Sequence, residues 1–304
     1  EMAKVAGASL YVVPVEIDGE SGLTLVATGT SEVMLDSSTR SEPSWVSMRF
    51  GKRLEVRDVP ALTQDLTRYS MQLGAPVKAL LGANLLRHLN VTLDLAGRQF
   101  VARKFSPHPP RVASRVDVWY LRGGGMVLPG TFGEDKSTRF FVDTSLTYNL
   151  ALDREAWSKV GLSLDSLQPL PTPPGATAGP ANQWREGTVP MIQIGAWSFP
   201  QLPAVYGSAV DRVDRELDVD VDGMLGAGLL ANFRLTFTER GRVLWVEKRP
   251  TPEPSRGPLP VAPPPGGLEA PDIRENKGGS PLGGSDLLSP GLDQGPPLNA
   301  PVTP

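Results

Sequence analysis

The sequence predicts an all-β chain built from two similar lobes and followed by a separate C-terminal arm. Three observations carry that expectation. The stretch APVKALLGANLLRHLNVTLDL (residues 75–95) has a degenerate echo, DGMLGAGLLANFRLTFTERGRVLWVE (222–247). In register, Leu81-Gly82-Ala83 meets Leu225-Gly226-Ala227, Leu85-Leu86 meets Leu229-Leu230, Thr92 meets Thr236, and Gly97-Arg98 meets Gly241-Arg242. Such a repeat marks a unit built twice, with two lobes facing each other. The body is cut into strand-length apolar runs by turn residues. Finally, 15 of the 55 residues from Pro250 to Pro304 are proline and 9 are glycine. That composition buries too little apolar surface to offset its ordering entropy, so the arm reads as a disordered spacer of polyproline character.

Taken in order, residues 10–17 (LYVVPVEI) read as a largely apolar strand, turned by Asp18-Gly19 into a second strand over 23–26. Residues 45–50 and 54–56 flank Gly51-Lys52 as a hairpin, and 91–95 and 99–102 flank Ala96-Gly97 in the same way. A short helix is expected after each Leu-Gly-Ala, where glycine lets the backbone turn tightly. KFSPHPPRVAS (104–114) reads as a linker. The expected division is lobe 1 over 1–104, linker over 105–114, lobe 2 over 115–249 and arm over 250–304. In lobe 2 the strand candidates are 126–132, 139–143, 189–194 and 197–199. DREAWSKV (153–160) is the clearest helix, with Asp153 as N-cap and Gly161 just past its end. Residues 27–82 leave little room for a long covering hairpin in lobe 1. Lobe 2 has the Pro/Gly-rich stretch 167–187, either a cover for a cleft, with Trp184 as contact residue, or an ordinary surface loop.

Composition narrows the function. A 304-residue chain that is 40% hydrophobic can bury one or two good cores. A net charge of −3 gives no basic footprint, which argues against a nucleic-acid partner. No apolar run approaches the roughly 20 residues that span a bilayer. The absence of cysteine removes disulfides, thiol nucleophiles and thiolate metal sites together. With only His88 and His108 present, a histidine-based triad or multi-histidine metal centre is not expected, and no metal or organic cofactor is implied. The chain starts at Glu1 rather than Met, the expectation for a mature or trimmed form whose targeting segment has been removed. An exported or envelope location is the corresponding expectation.

Two further segments align between the halves: PVEIDGESGLTLVATGTSEVML (14–35) and PGTFGEDKSTRFFVDTSLTYNLAL (129–152). Pro14 pairs with Pro129, and Ala27-Thr28-Gly29 pairs with Asp143-Thr144-Ser145 after a one-residue insertion. Together with Leu81-Gly82-Ala83-Asn84-Leu85-Leu86, Thr92-Leu93 and the preceding Ala75-Pro76-Val77, this ordered set resembles the aspartic proteases of the retropepsin-like branch. The resemblance covers about 230 residues of body and leaves out the arm. It implies a two-lobed, pseudo-symmetric pair of double-psi-type β-barrels with a few short helices. It also implies that Asp143 is a catalytic-type carboxylate. Thr28, Gly29, Thr144 and Ser145 would line the substrate site, with each threonine hydroxyl reaching across to the opposite loop.

In that family two carboxylates share one proton, because like charges so close cannot both ionise. One acts as base on a water held between them, and the other assists the carbonyl oxygen and the leaving amine. Here the lobe 1 position is Ala27, and Ser145 stands where the family usually has glycine. The expectation is a protein that binds an extended peptide or protein segment with little or no cleavage. An active endopeptidase remains as an alternative, through homodimers that pair two copies of Asp143 or because Ala27 replaces a natural aspartate. A structural envelope module with a proline-rich arm is the third reading.

Overall fold

A computed structural model describes residues 3–4, 10–95, 97–121, 125–133, 136–171, 184–208, 210–238 and 242–248. The arm over 250–304 lies outside the described residues, as do 172–183 of the loop expected to carry Trp184.

Lobe 1 starts from an edge strand β1 (Ala3–Lys4) against β2 (Tyr11–Ile17). Asp18 and Gly19 both sit at positive φ, 48° and 90°, as a two-residue hairpin turn of matching twist requires. The chain returns as β3 (Glu20–Val26), longer than its apolar half suggests because the ladder, not hydropathy, sets its start. After a loop come β4 (Val33–Asp36), the hairpin β5 (Ser44–Phe50) and β6 (Leu54–Gln64), α1 (Thr67–Leu73), β7 (Val77–Leu81) and α2 (Ala83–His88). Strand β7 slots between β3 and β4, parallel to the first (Val26 opposite Leu81) and antiparallel to the second. Strand β4 in turn runs parallel to β6, and β5 closes the barrel on β2. The two interlocked parallel crossings are the double-psi arrangement.

Lobe 2 repeats this wiring after β8 (Thr92–Asp94), β9 (Gln99–Val101) and β10 (Ser114–Asp117). An edge strand β11 (Trp119–Tyr120) flanks β12 (Met126–Phe132), which pairs with β13 (Lys136–Asp143). Then follow β14 (Leu150–Leu152), α3 (Arg154–Lys159), the short β15 (Gln168–Pro169), and the hairpin β16 (Arg185–Ile194) and β17 (Trp197–Tyr206). Helix α4 (Val210–Leu217), β18 (Gly223–Gly226) and α5 (Ala227–Leu230) complete the unit. Strand β18 is parallel to β13, with Asp143 opposite Gly226, while β14 is parallel to β17 and β16 closes on β12. Helix α3 matches expectation closely: Asp153 caps it by accepting the Ala156 amide at 2.6 Å.

A third sheet joins the lobes in the order β10, β20 (Val243–Lys248), β19 (Phe233–Phe237), β8, β9. Its central antiparallel pairing puts Thr92 opposite Thr236, with their hydroxyls 2.9 Å apart. The two threonines matched by the sequence repeat therefore meet each other, as residues beside a two-fold axis must. Apolar faces of both barrels and of this sheet form one continuous core that includes Val26, Leu81, Phe140, Trp157, Leu225 and Phe237.

Helices α1 and α4 are additions to the sequence reading, and hairpin β5–β6 extends well past the expected Val56. Helix α1 (TRYSMQL) buries only Tyr69 and Leu73, too thin a stripe for periodicity to reveal, and stops at Gly74 in the left-handed region (φ 67°). The expectation that 27–82 leave little room for a long hairpin is overturned: β5–β6 spans Ser44–Gln64, close in extent to the Arg185–Tyr206 hairpin of lobe 2.

Candidate functional site

Strands β3 and β13 end side by side at the lobe interface. Each runs parallel to the strand that ends in Leu-Gly-Ala, so Ala27 and Asp143 hold equivalent places, one per lobe. The loops after them are built alike. In lobe 1 the Ala83 and Asn84 amides donate to the Thr30 and Ser31 carbonyls; in lobe 2 the Ala227 and Gly228 amides donate to those of Leu146 and Tyr148. Gly82 and Gly226 sit at the crossing. A Cβ at Gly82 would run into the Ser31 and Glu32 carbonyls, and one at Gly226 into those of Tyr148 and Leu146. Here glycine is required for close approach, not for an unusual φ.

The threonines that follow fasten the lobes. The Thr28 hydroxyl donates to the Val142 carbonyl at 2.9 Å and accepts the Thr144 amide at 3.0 Å. Reciprocally, the Thr144 hydroxyl donates to the Val26 carbonyl at 2.7 Å and accepts the Thr28 amide at 3.2 Å. Both residues are completely buried, so they act on any ligand only through the loops they lock.

Asp143 reaches across this lock. Its Oδ1 accepts the Ser145 amide at 2.8 Å, and the Ser145 hydroxyl and the Gly29 amide of the opposite loop lie close enough to favour its charged form. The carboxyl lies so close over Gly29 that a Cβ there would overlap it. Burial pushes the carboxyl above its ordinary value, against the pull of the Ser145 and Gly29 hydrogen bonds and of the Arg68 charge. The residue at the equivalent place in lobe 1 is Ala27, 1% exposed and packed in a cluster with Leu25, Leu66, Tyr69 and Leu80.

Two neighbours of Asp143 have no counterpart in the sequence reading. Tyr148 hydrogen-bonds Ser208 at 2.6 Å and is kept protonated by burial. Arg68, at the start of α1, lays its guanidinium 4.4 Å from the Tyr69 ring centre and donates to the Tyr69 hydroxyl. No local sequence signal marks either residue, because α1 and the ring of Tyr148 are brought to the loops by barrel closure. Trp184 is 5% exposed in the lobe 2 core, its ring 6.4 Å from that of Tyr148, behind the loop rather than on a surface. Among the described residues, no group of three or more His, Asp or Glu side chains is placed to hold a metal ion, and no helix is long and apolar enough to cross a membrane.

No protein-family model matches the sequence, and no curated protein matches it. Among solved structures the chain is similar to a retropepsin-like aspartic protease from Rickettsia conorii, at 22% identity over 44% of this chain and 90% of that one, with a TM-score of 0.34. It is also similar to basic 7S globulin from soybean, at 10% identity over 81% of this chain and 93% of that one, with a TM-score of 0.46. The chain's own connectivity, with two closed six-stranded barrels of double-psi type facing each other, is an aspartic-protease-like fold.

Proposed function

We propose that this chain binds an extended peptide or protein segment between its lobes and cleaves it little or not at all. The observation that carries the reading is Ala27, a buried methyl group at the place equivalent to Asp143. Hydrolysis on this scaffold needs a base to take a proton from water and an acid to give one to the substrate. A single carboxyl cannot be both at once, and a methyl group cannot anchor the water. The surviving carboxyl is, moreover, engaged by donors from both loops. What remains is a rigid floor beneath strand-like backbone, suited to an extended chain whose main-chain groups supply affinity.

The active alternative through paired chains is weakened by the same geometry. To bring two copies of Asp143 together, lobe 2 would have to release the four cross-lobe hydrogen bonds made by the Thr28 and Thr144 hydroxyls and the shared sheet.

The test compares the native chain with Ala27→Asp in peptidase assays at acidic and neutral pH, with and without pepstatin. The expected outcome is silence in the native chain and acid-favoured, pepstatin-sensitive cleavage in the variant, a gain of about a hundredfold or more. Pepstatin-sensitive turnover by the native monomer would refute the reading.

A further inference from the structure

Several described arginines meet carboxylates: Arg40 with Asp18, Arg139 with Asp220, Arg234 with Asp94. Arg68 does not. Its Nε is enclosed without an acceptor, and one Nη2 hydrogen goes to the Tyr69 hydroxyl. No carboxylate lies within ion-pair distance of it among the described residues. The side chain is half-buried, stacked on Tyr69, on the helix whose Tyr69 and preceding Leu66 pack in the cluster that holds Ala27. It therefore sits beside the site floor, near enough for its charge to act on Asp143.

We infer that Arg68 is a specificity-determining residue that recognises a carboxylate on the bound peptide, either a C-terminal carboxylate or an Asp or Glu side chain. The inference rests on the peptide-binding reading above. With Nε enclosed and one Nη2 hydrogen on Tyr69, the Nη1 end of the guanidinium, neither enclosed nor hydrogen-bonded among the described residues, is the part that can meet a carboxylate. Stacking on Tyr69 holds the guanidinium and lowers the entropy lost on binding.

The probe is a fluorescein-labelled random heptapeptide library, synthesised as free acids and as C-terminal amides, bound to the native chain, Arg68→Gln and Arg68→Lys. A charge-assisted hydrogen bond of about 1.5–3 kcal/mol corresponds to a preference of roughly ten- to a hundredfold for carboxylate-bearing peptides. The expected result is that preference in the native chain, its loss in Arg68→Gln with binding of neutral peptides unchanged, and partial retention in Arg68→Lys. Preference confined to free acids identifies the terminal carboxylate; preference surviving in amides with Asp or Glu identifies the side chain. Peptide binding without any carboxylate preference, or a preference unmoved by Arg68→Gln, overturns the role of Arg68 and leaves the peptide-binding reading standing. Loss of neutral-peptide binding in Arg68→Gln overturns the role as a specificity residue. No binding of any peptide by the native chain overturns both.

Discussion

Two aspartates in lobe 2, Asp143 part-buried and Asp222 buried, have opposite relations to their surroundings and titrate in opposite senses. At Asp143 burial dominates and the carboxyl lies above its ordinary value. Its unfolded counterpart ionises first, so stability is lost as pH rises from the unfolded value near 4 through the higher folded one. Replacing Asp143 with Asn is expected to remove this loss, so the variant gains on the native chain as pH rises above about 4 in urea unfolding. At Asp222 burial also pulls upward but is outweighed by Lys159, the Thr138 hydroxyl at 2.7 Å and the Arg139 amide at 3.1 Å, leaving the carboxyl below its ordinary value. That stability is present above the unfolded value near 4 and disappears as pH falls through the folded one. Asp222→Asn is expected to destabilise at neutral pH and to flatten the acid limb of the same titration. Equal slopes for both variants would mean these environments are misassigned.

The elements that matter most are the crossings where β7 and β18 turn into their helices. Gly82 and Gly226 let these strands pass beneath the loops that carry Ala27 and Asp143, with no room for a methyl group. Because the obstacles are backbone carbonyls of a locked loop rather than flexible side chains, the clash cannot be relieved locally. Gly226→Ala is expected to cost about 1–3 kcal/mol or more, the range for forcing extra volume into a packed interior, whereas Gly133→Ala, in open space but at φ 64°, meets backbone strain alone, about 1–2 kcal/mol. Thermal unfolding of the two variants checks the contrast. A Gly226→Ala protein as stable as the native chain would show that the crossing is looser than drawn.

At the scale of the whole molecule, two pairs of repeat-related threonines hold the lobes in register: Thr92 with Thr236 in the shared sheet, and Thr28 with Thr144 between the loops. Each Thr28–Thr144 hydroxyl serves as donor and acceptor in a fully buried site. Thr28→Val therefore strands the Thr144 amide and the Val142 carbonyl, at a cost of about 1–3 kcal/mol per unsatisfied group. Thr92→Val and Thr236→Val together are expected to cost less than the sum of the single changes, because both remove the same hydroxyl–hydroxyl bond. A double-mutant cycle in urea reads that coupling; strict additivity would place the two threonines in independent environments.

Much of this architecture was legible in the chain. The repeat of Leu-Gly-Ala and Thr implied two lobes, the Asp153 cap marked α3, and Ala27 against Asp143 marked the asymmetry of the loops, because each depends on spacing or on a single residue's chemistry. Hairpin β5–β6 and helices α1 and α4 escaped, since their limits are set by pairing and by what closes over them rather than by local pattern. The same holds for Arg68 and Tyr148, 75 and 5 residues from Asp143 in sequence. The sequence by itself determined which chemical groups each lobe owns, Ala27 in one loop and Asp143 in the other. Only the tertiary structure decided that the Asp143 carboxyl leans over Gly29 of the opposite loop, because that contact exists only once two barrels close and their threonines interlock.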